Sequence, residues 1–185
     1  MESSGTPPAV DSPPVDRDKD EFRFQLAKEA LLFEHARNDA ADSKVGQHLT
    51  MVGIALATAG VVIDAFVRIA KRNDSPADTA FLIAFSSAVV GWILSGCLLV
   101  RALAFRTLAG LPVTKEFAAF FDRTELDDAR RRIGFQIWDA ALHARDAVEE
   151  KYEWIVRGRA VMFPATILSL IAAALFVVIR IQEKS

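Results

Sequence analysis

The sequence predicts an all-α integral membrane protein with three transmembrane helices and long helical extensions outside the bilayer. Hydrophobic residues make up 52% of the 185 residues, and charged residues make up 25%. Both fractions are compatible with one chain only if the apolar residues are concentrated in blocks, and three such blocks are present. The segments between the blocks carry the charges and show apolar residues at helical spacing, which predicts amphipathic helices.

Each apolar block is long enough to cross a bilayer as a helix, which requires about 20 residues. We predict spans at 49–67, 80–100 and 160–179. The second span contains no charged residue, and the first contains one, Asp64. Helices buried in soluble proteins rarely run this long without a polar face.

The distribution of positive charge predicts the orientation. Of the 22 Lys and Arg residues, 17 lie before the first span or between the second and third spans. Cytoplasmic segments carry this excess, so we expect a cytoplasmic N-terminus and a C-terminus outside. The short hairpin 68–79, with its Asn73-Asp74-Ser75-Pro76 turn, is then also outside.

The predicted cytoplasmic part has a disordered tail at 1–17, rich in Pro, Ser and Asp, and two helices at about 18–46 and 124–158. With the spans, the helices form a single membrane-embedded helical domain at 18–185. The second helix begins at a capping sequence starting at Thr124 and continues into the third span, where Gly158 and Pro164 could loosen the junction. Gly110-Leu111-Pro112 and the apolar cluster of Phe117, Phe120 and Phe121 precede it.

Each helix carries an apolar stripe, and we expect the two stripes to be buried against each other or against other subunits. The first stripe comprises Phe22, Leu26, Ala30, Phe33, Ala36, Ala40 and Ser43. The second comprises Ile133, Ile137, Ala141, Ala144, Val148, Tyr152 and Ile155.

No catalytic constellation is present in the sequence. We find no phosphate-binding loop, dinucleotide fingerprint or nucleophile elbow, and His35, His48 and His143 lack metal-ligand spacing. The net charge of −2 gives no support for a nucleic-acid binder, which normally has a strong excess of basic residues. The single cysteine, Cys97, cannot form an intrachain disulfide. We therefore expect no enzyme activity, no cofactor and no metal.

Small residues line one face of each of the first two spans, as in close helix packing in lipid. Such packing occurs either within one subunit or at a subunit interface, and both possibilities stay open. We also expect an interfacial ion pair between Asp64 and Arg68. The small residues are Gly46 just before the first span, Gly53, Ala57 and Gly60 within it, and Ser87, Gly91 and Ser95 in the second span.

Two polar groups are candidate ligand contacts, with solvated helix faces as the alternative. One is the run Arg130-Arg131-Arg132, which could meet a phosphate or a lipid headgroup, with Trp138 available to stack a base. The other lies just before the first span and includes Asp39, Asp42 and Lys44.

The order of these elements resembles the membrane-spanning effectors of the Pycsar anti-phage systems. The resemblance covers residues 25–180 and rests on Asp42-Ser-Lys44-Val-Gly46 at the start of the first span and Lys151-Tyr152-Glu-Trp154 before the last. Related two-span effectors of other nucleotide-signalling defence systems share the general plan but usually lack the third span.

The resemblance implies a homo-oligomeric effector of the bacterial inner membrane, activated by cyclic CMP or cyclic UMP from a partner nucleotide cyclase. Activation would impair the membrane of the infected cell. The sequence contains no β-rich nucleotide-binding domain, so ligand recognition would come from the cytoplasmic helices. The alternative function is a non-enzymatic accessory or scaffold subunit of a membrane complex.

Overall fold

The computed structural model describes residues 17–104 and 126–182, and all of them except residues 73–75 are α-helical. The helices are α1 (Arg17–Arg72), α2 (Pro76–Ala104) and α3 (Leu126–Gln182). All three are long and apolar enough to cross a membrane by length and composition. The predicted all-α class with three possible spans is therefore confirmed. The predicted tail up to Asp16, the cap at Thr124 and the segments at 110–112 and 117–121 lie outside the described residues.

Helices α1 and α3 each combine a predicted extramembrane helix with a predicted span, without interruption over 56 and 57 residues. Gly158 and Pro164 both lie inside α3, so the helix is not broken at the junction where we expected loosening. A Cβ atom added to Gly158 would lie 3.0 Å from the side chain of Leu99. Gly158 therefore permits a close approach of α2 to α3.

The described residues form two compact units. The smaller comprises residues 17–32 and 126–142, and the larger comprises residues 33–104 and 143–182. The core of the smaller unit contains Ala27 from α1 and three α3 residues, Ala129, Ile133 and Ile137. Phe24 and Leu31 pack against this core from α1.

The stripe predicted for α3 is confirmed, since all its residues are buried except Tyr152, which is half-buried. The stripe predicted for α1 is not buried against α3 within the described chain, and its burial against other subunits stays a prediction. Phe22 is 67% exposed and Phe33 62% exposed, and Ala36, Ala40 and Ser43 are also exposed. The face of α1 that is buried instead is displaced by about one residue and includes three polar side chains: Asp20, Ala27, Glu34, Asn38, Ala41, Val45 and Val52.

In the larger unit, the apolar segments of the three helices pack against one another through small residues and a cluster of phenylalanines. A Cβ atom added to Gly91 would lie only 2.8 Å from Cβ of Ala165, so glycine permits close contact between α2 and α3. Two hydrogen bonds join the same helices: Trp92 Nε1 donates to Ser169 Oγ at 3.1 Å, and Ser95 Oγ donates to the Gly158 carbonyl at 2.9 Å. Phenylalanine rings in mutual contact fill the other end of the unit, at positions 66, 81, 85 and 176.

The turn between α1 and α2 is organised by Asp78, which is 1% exposed. Its carboxylate accepts hydrogen bonds from Arg72 Nη2 at 3.0 Å and from the backbone N–H groups of Asp74 and Ser75. Ser75 Oγ accepts a hydrogen bond from the Asp78 N–H in return, which is the reciprocal pattern of a capping box. Asn73 ends α1 with a positive φ of 39°, as residues after a helix often do.

The charge on Asp78 should make the turn sensitive to acid. Burial raises the pKa of Asp78, but the hydrogen bonds and positive charge of Arg72, with the bonds from Ser75 and Asp74, outweigh burial, so the pKa lies below 3.8. The contribution of the carboxylate to stability is therefore present above pH 3.8 and is lost as the pH falls through the lower pKa of the folded state.

We predict that Asp78→Asn destabilises the protein by about 1–2 kcal/mol at neutral pH, because an amide cannot replace the charged cap. The thermal midpoint of helix loss in detergent, followed by circular dichroism, measures this change. Asp74→Asn is the matched control, since the Asp74 side chain is exposed and only its backbone contacts the cap. Equal midpoints for wild type and Asp78→Asn would contradict the assigned cap.

Candidate functional site

A buried lysine links α1 to α3 in the larger unit. Lys151 is 0% exposed, and its ammonium donates a hydrogen bond to Asn38 Oδ1 at 2.7 Å. The same ammonium lies 2.7 Å from Asp42 Oδ1. A buried ammonium is unfavourable unless it is paired and hydrogen-bonded, and α1 supplies both kinds of partner from residues one helical turn apart.

Asn38 and Asp42 also contact each other, because Asn38 Nδ2 donates to Asp42 Oδ2 at 3.4 Å. Asp42 Oδ1 accepts no directed hydrogen bond among the described residues, so its short distance to Lys151 represents an ionic contact. The carboxylate of Asp42 is 33% exposed. The three side chains therefore form a polar cluster, closed around Lys151 and open to the outside at Asp42.

Two short sequence motifs meet in this polar cluster. Asp42 comes from the motif at the start of the first span, and Lys151 comes from the motif before the third. Asn38 was not among the predicted site residues, although its position one turn before Asp42 on the same helix face was a usable signal. Asp39, which was predicted, is exposed and does not join the cluster.

Tyr152 lies next to the polar cluster with two cations near its ring. The Lys44 ammonium is 5.6 Å and the Arg37 guanidinium 6.0 Å from the ring centroid, at the outer limit of cation–π contact. Arg37 also donates two hydrogen bonds to buried Glu34, at 3.0 and 2.9 Å. Lys44 thus lies beside the cluster but is not part of its hydrogen-bond network.

The smaller unit contains a groove of about 270 Å³ that brings together three predicted ligand residues. Arg130, Arg131 and Trp138 line it together with Phe24 and Phe135, and the surface that these residues present to the groove is mostly apolar. Arg132 does not line the groove, and its guanidinium lies 3.6 Å from Asp128 one turn earlier. The volume is near the lower end for small-molecule sites.

The arginines of this groove already have carboxylate neighbours on α1. Arg130 Nη1 lies 3.3 Å from Glu21 Oε2, and Arg131 Nε lies 3.7 Å from Asp20 Oδ2. Each guanidinium has five N–H donors, so one ion pair leaves donors for a second acceptor. An anion bound here would compete with the acidic side chains of α1 for the same arginines.

The small residues on the face of α1 do not pack against other described residues. Cβ atoms added to Gly46, Gly53 and Gly60 would meet none of the described atoms within 4 Å, and Ala57 is exposed. In the second predicted span Gly91 and Ser95 contact α3, whereas Ser87 is exposed. Among residues 17–104 and 126–182, packing within the subunit therefore accounts for two residues of the second small-residue face and for none of the first.

The predicted ion pair between Asp64 and Arg68 is not formed, and both residues are exposed. The described chain holds no group of three His, Cys, Asp or Glu side chains that could bind a metal ion. Cys97 is a free, exposed thiol.

We predict that Lys151→Met destabilises the protein by about 2 kcal/mol, because Asn38 and Asp42 then lose their common partner. Adding Asp42→Asn should restore part of the loss by removing the uncompensated charge. Thermal unfolding in detergent measures both variants. Arg145→Gln, which breaks an exposed ion pair with Glu149, is the control and should leave the unfolding midpoint nearly unchanged, because exposed ion pairs contribute little to stability. Strictly additive effects of the Lys151 and Asp42 changes would contradict the coupling.

Comparisons with known proteins give no relative from which a function could be transferred. No protein-family model, no curated protein and no solved structure matches the chain. The function proposed below is therefore argued from the residues and from their arrangement.

Proposed function

We propose that this protein is a ligand-gated effector that disrupts the bacterial inner membrane in a nucleotide-signalling anti-phage system. The observation that carries the proposal is the groove of the smaller unit, where Arg130 and Arg131 lie beside Trp138, Phe24 and Phe135. A cyclic pyrimidine mononucleotide combines one phosphate diester with one aromatic base. Guanidinium groups bind phosphate through paired N–H donors, and aromatic side chains stack on bases.

The route from ligand to membrane in this proposal is the continuity of α1 and α3. Both helices contain groove residues near their N-terminal ends and an apolar span nearer their C-terminal ends, with no break between. A ligand that replaces Glu21 or Asp20 as the partner of an arginine would change the contacts between the two helices. Such a ligand shifts the balance between the closed and the open conformation only to the extent that it binds one of them more tightly than the other.

The polar cluster around Lys151 gives the larger unit a defined resting arrangement. Sliding α1 along α3 would separate Lys151 from Asn38 and Asp42 and leave a charge buried without a partner. In this proposal the cluster holds the closed state. Activation requires that the ammonium either keep these partners while the spans rearrange or gain access to water.

A specific observation also favours the alternative function, an accessory or scaffold subunit. The smaller unit exposes large apolar side chains, as a protein-binding surface does. They are Phe22, Leu26, Leu32, Phe135, Trp138 and Leu142. Affinity purification from solubilised membranes separates the two functions: a stoichiometric foreign partner and no self-association would favour the scaffold.

We predict that cyclic CMP or cyclic UMP depolarises cells that express this protein, as measured with a membrane-potential dye. Arg130→Gln and Arg131→Gln should each raise the ligand concentration required by about tenfold or more, because each removes a charge-assisted hydrogen bond. Arg132→Gln is the matched control, since Arg132 lies outside the groove. An unchanged potential with both nucleotides would contradict the proposed gating.

Activity in this proposal requires a homo-oligomer formed through the exposed small-residue face of α1. Gly53, Ala57 and Gly60 permit close helix approach, and nothing in the described chain covers them. Asp64 and Arg68 continue the same face, since residues four apart are neighbours on a helix. In a parallel pair, Asp64 of one copy can meet Arg68 of the other, which compensates a carboxylate that is unfavourable in an apolar span.

We predict that a cysteine at Gly60 forms a disulfide-linked dimer in membranes when Cys97 is replaced by serine. Dimer formation on oxidation is measured by non-reducing electrophoresis. A cysteine at Thr58 is the matched control, because Thr58 is exposed and lies two residues from Gly60, on a different side of α1. Equal cross-linking at both positions, or none at Gly60, would contradict the assigned interface.

A further inference from the structure

Two arginines lie against one tryptophan in the larger unit. The Cζ atoms of Arg101 and Arg157 lie 4.4 and 4.8 Å from the Trp154 ring centroid. The two carbons are therefore at most 9.2 Å apart, the sum of these distances. Trp154 is half-buried and packs against a core that includes Leu99 and Ala102 of α2. The indole is thus held in place, and it positions both guanidinium groups.

This arrangement has more positive than negative charge. Arg157 Nη2 lies 3.0 Å from Glu153 Oε2, which supplies one carboxylate. Arg101 is exposed and has no carboxylate partner among the described residues. Cation–π contact stabilises each guanidinium by about 0.5–1 kcal/mol at an exposed site, but it does not neutralise the charge. Two cations and one anion at short range leave a site for a further anion.

The position of the arginines along the chain indicates where that anion lies. Arg101 directly follows the predicted span at 80–100, and Arg157 precedes the predicted span at 160–179. Both therefore lie at the same edge of the apolar segments, where the phosphates of a bilayer are found. Val100 and Val156, their immediate neighbours, are 57% and 61% exposed. A ligand with a phosphate and an apolar body fits charged and apolar groups placed side by side.

We propose that Arg101, Trp154 and Arg157 form a binding site for the headgroup of an anionic phospholipid. The planar guanidinium group binds phosphate oxygens in a bidentate manner, and basic pockets between spanning helices bind anionic headgroups. A lipid with a net negative headgroup balances the excess charge of the site. Phosphatidylcholine carries a compensating cation and should bind less tightly. This site is separate from the groove of the smaller unit and does not depend on the function proposed above.

The test is a titration of the purified full-length protein in detergent with phosphatidylglycerol or phosphatidylcholine, with bound lipids counted by native mass spectrometry. We expect tighter binding of phosphatidylglycerol to the wild type. Arg101→Gln and Arg157→Gln should each weaken it at least tenfold. Trp154→Leu should weaken it similarly although both charges remain, because the guanidinium groups are no longer held together. Circular dichroism verifies that each variant is folded.

Arg159→Gln is the matched control, because Arg159 lies two residues beyond Arg157 in α3, and residues two apart on a helix do not share a face. Its loss should weaken binding by no more than about fivefold, the general contribution of one basic residue near a membrane. Equal losses for Arg159→Gln and Arg101→Gln, or unchanged binding in Trp154→Leu, would overturn the site. Glycerol 3-phosphate provides the phosphate without acyl chains. Displacement of the lipid at equal concentrations would assign the site to a soluble phosphate and overturn the proposal.

Discussion

The burial of the Lys151 ammonium between Asn38 and Asp42 is the constraint on which the larger unit depends. A charge with no exposed surface is compatible with folding only when its partners are in place. Both partners come from α1, one turn apart, so the pairing sets the rotation of α1 about its axis and its position along α3. A single polar residue in an otherwise apolar helix seam has this effect on register in coiled coils.

The rotation of α1 determines which of its residues remain for other contacts. Since Asn38 and Asp42 face α3, Ala41, Val45 and Val52 are buried with them, and each lies three, four or seven residues from another member of the set. The side of α1 that carries Gly53 and Gly60 is then exposed. The same pairing that closes the bundle therefore leaves the small-residue face available.

Helices α2 and α3 are held together in a different way from α1 and α3. Their contact relies on glycines that permit close approach and on hydrogen bonds of Trp92 and Ser95. Such contacts suit an apolar environment, where the hydrophobic effect does not drive helices together. The polar cluster at Lys151 instead lies before the third apolar segment, where the chain becomes richer in charge. The larger unit thus combines close packing of small residues in its apolar part with an ion pair outside that part.

Sequence alone determined the helical class, the three apolar segments and the buried stripe of α3, because each depends on local periodicity and on the length of apolar blocks. Asp42 was a predicted ligand contact and Lys151 only a position of the motif before the third apolar segment, and the sequence did not predict that they touch. The buried face of α1 was decided by tertiary structure. Glu34 and Asn38 interrupt the apolar repeat of that face, and a competing stripe with Phe22 and Phe33 is more hydrophobic. The less apolar face of α1 is buried because its partner on α3 is Lys151, and a buried lysine requires polar neighbours.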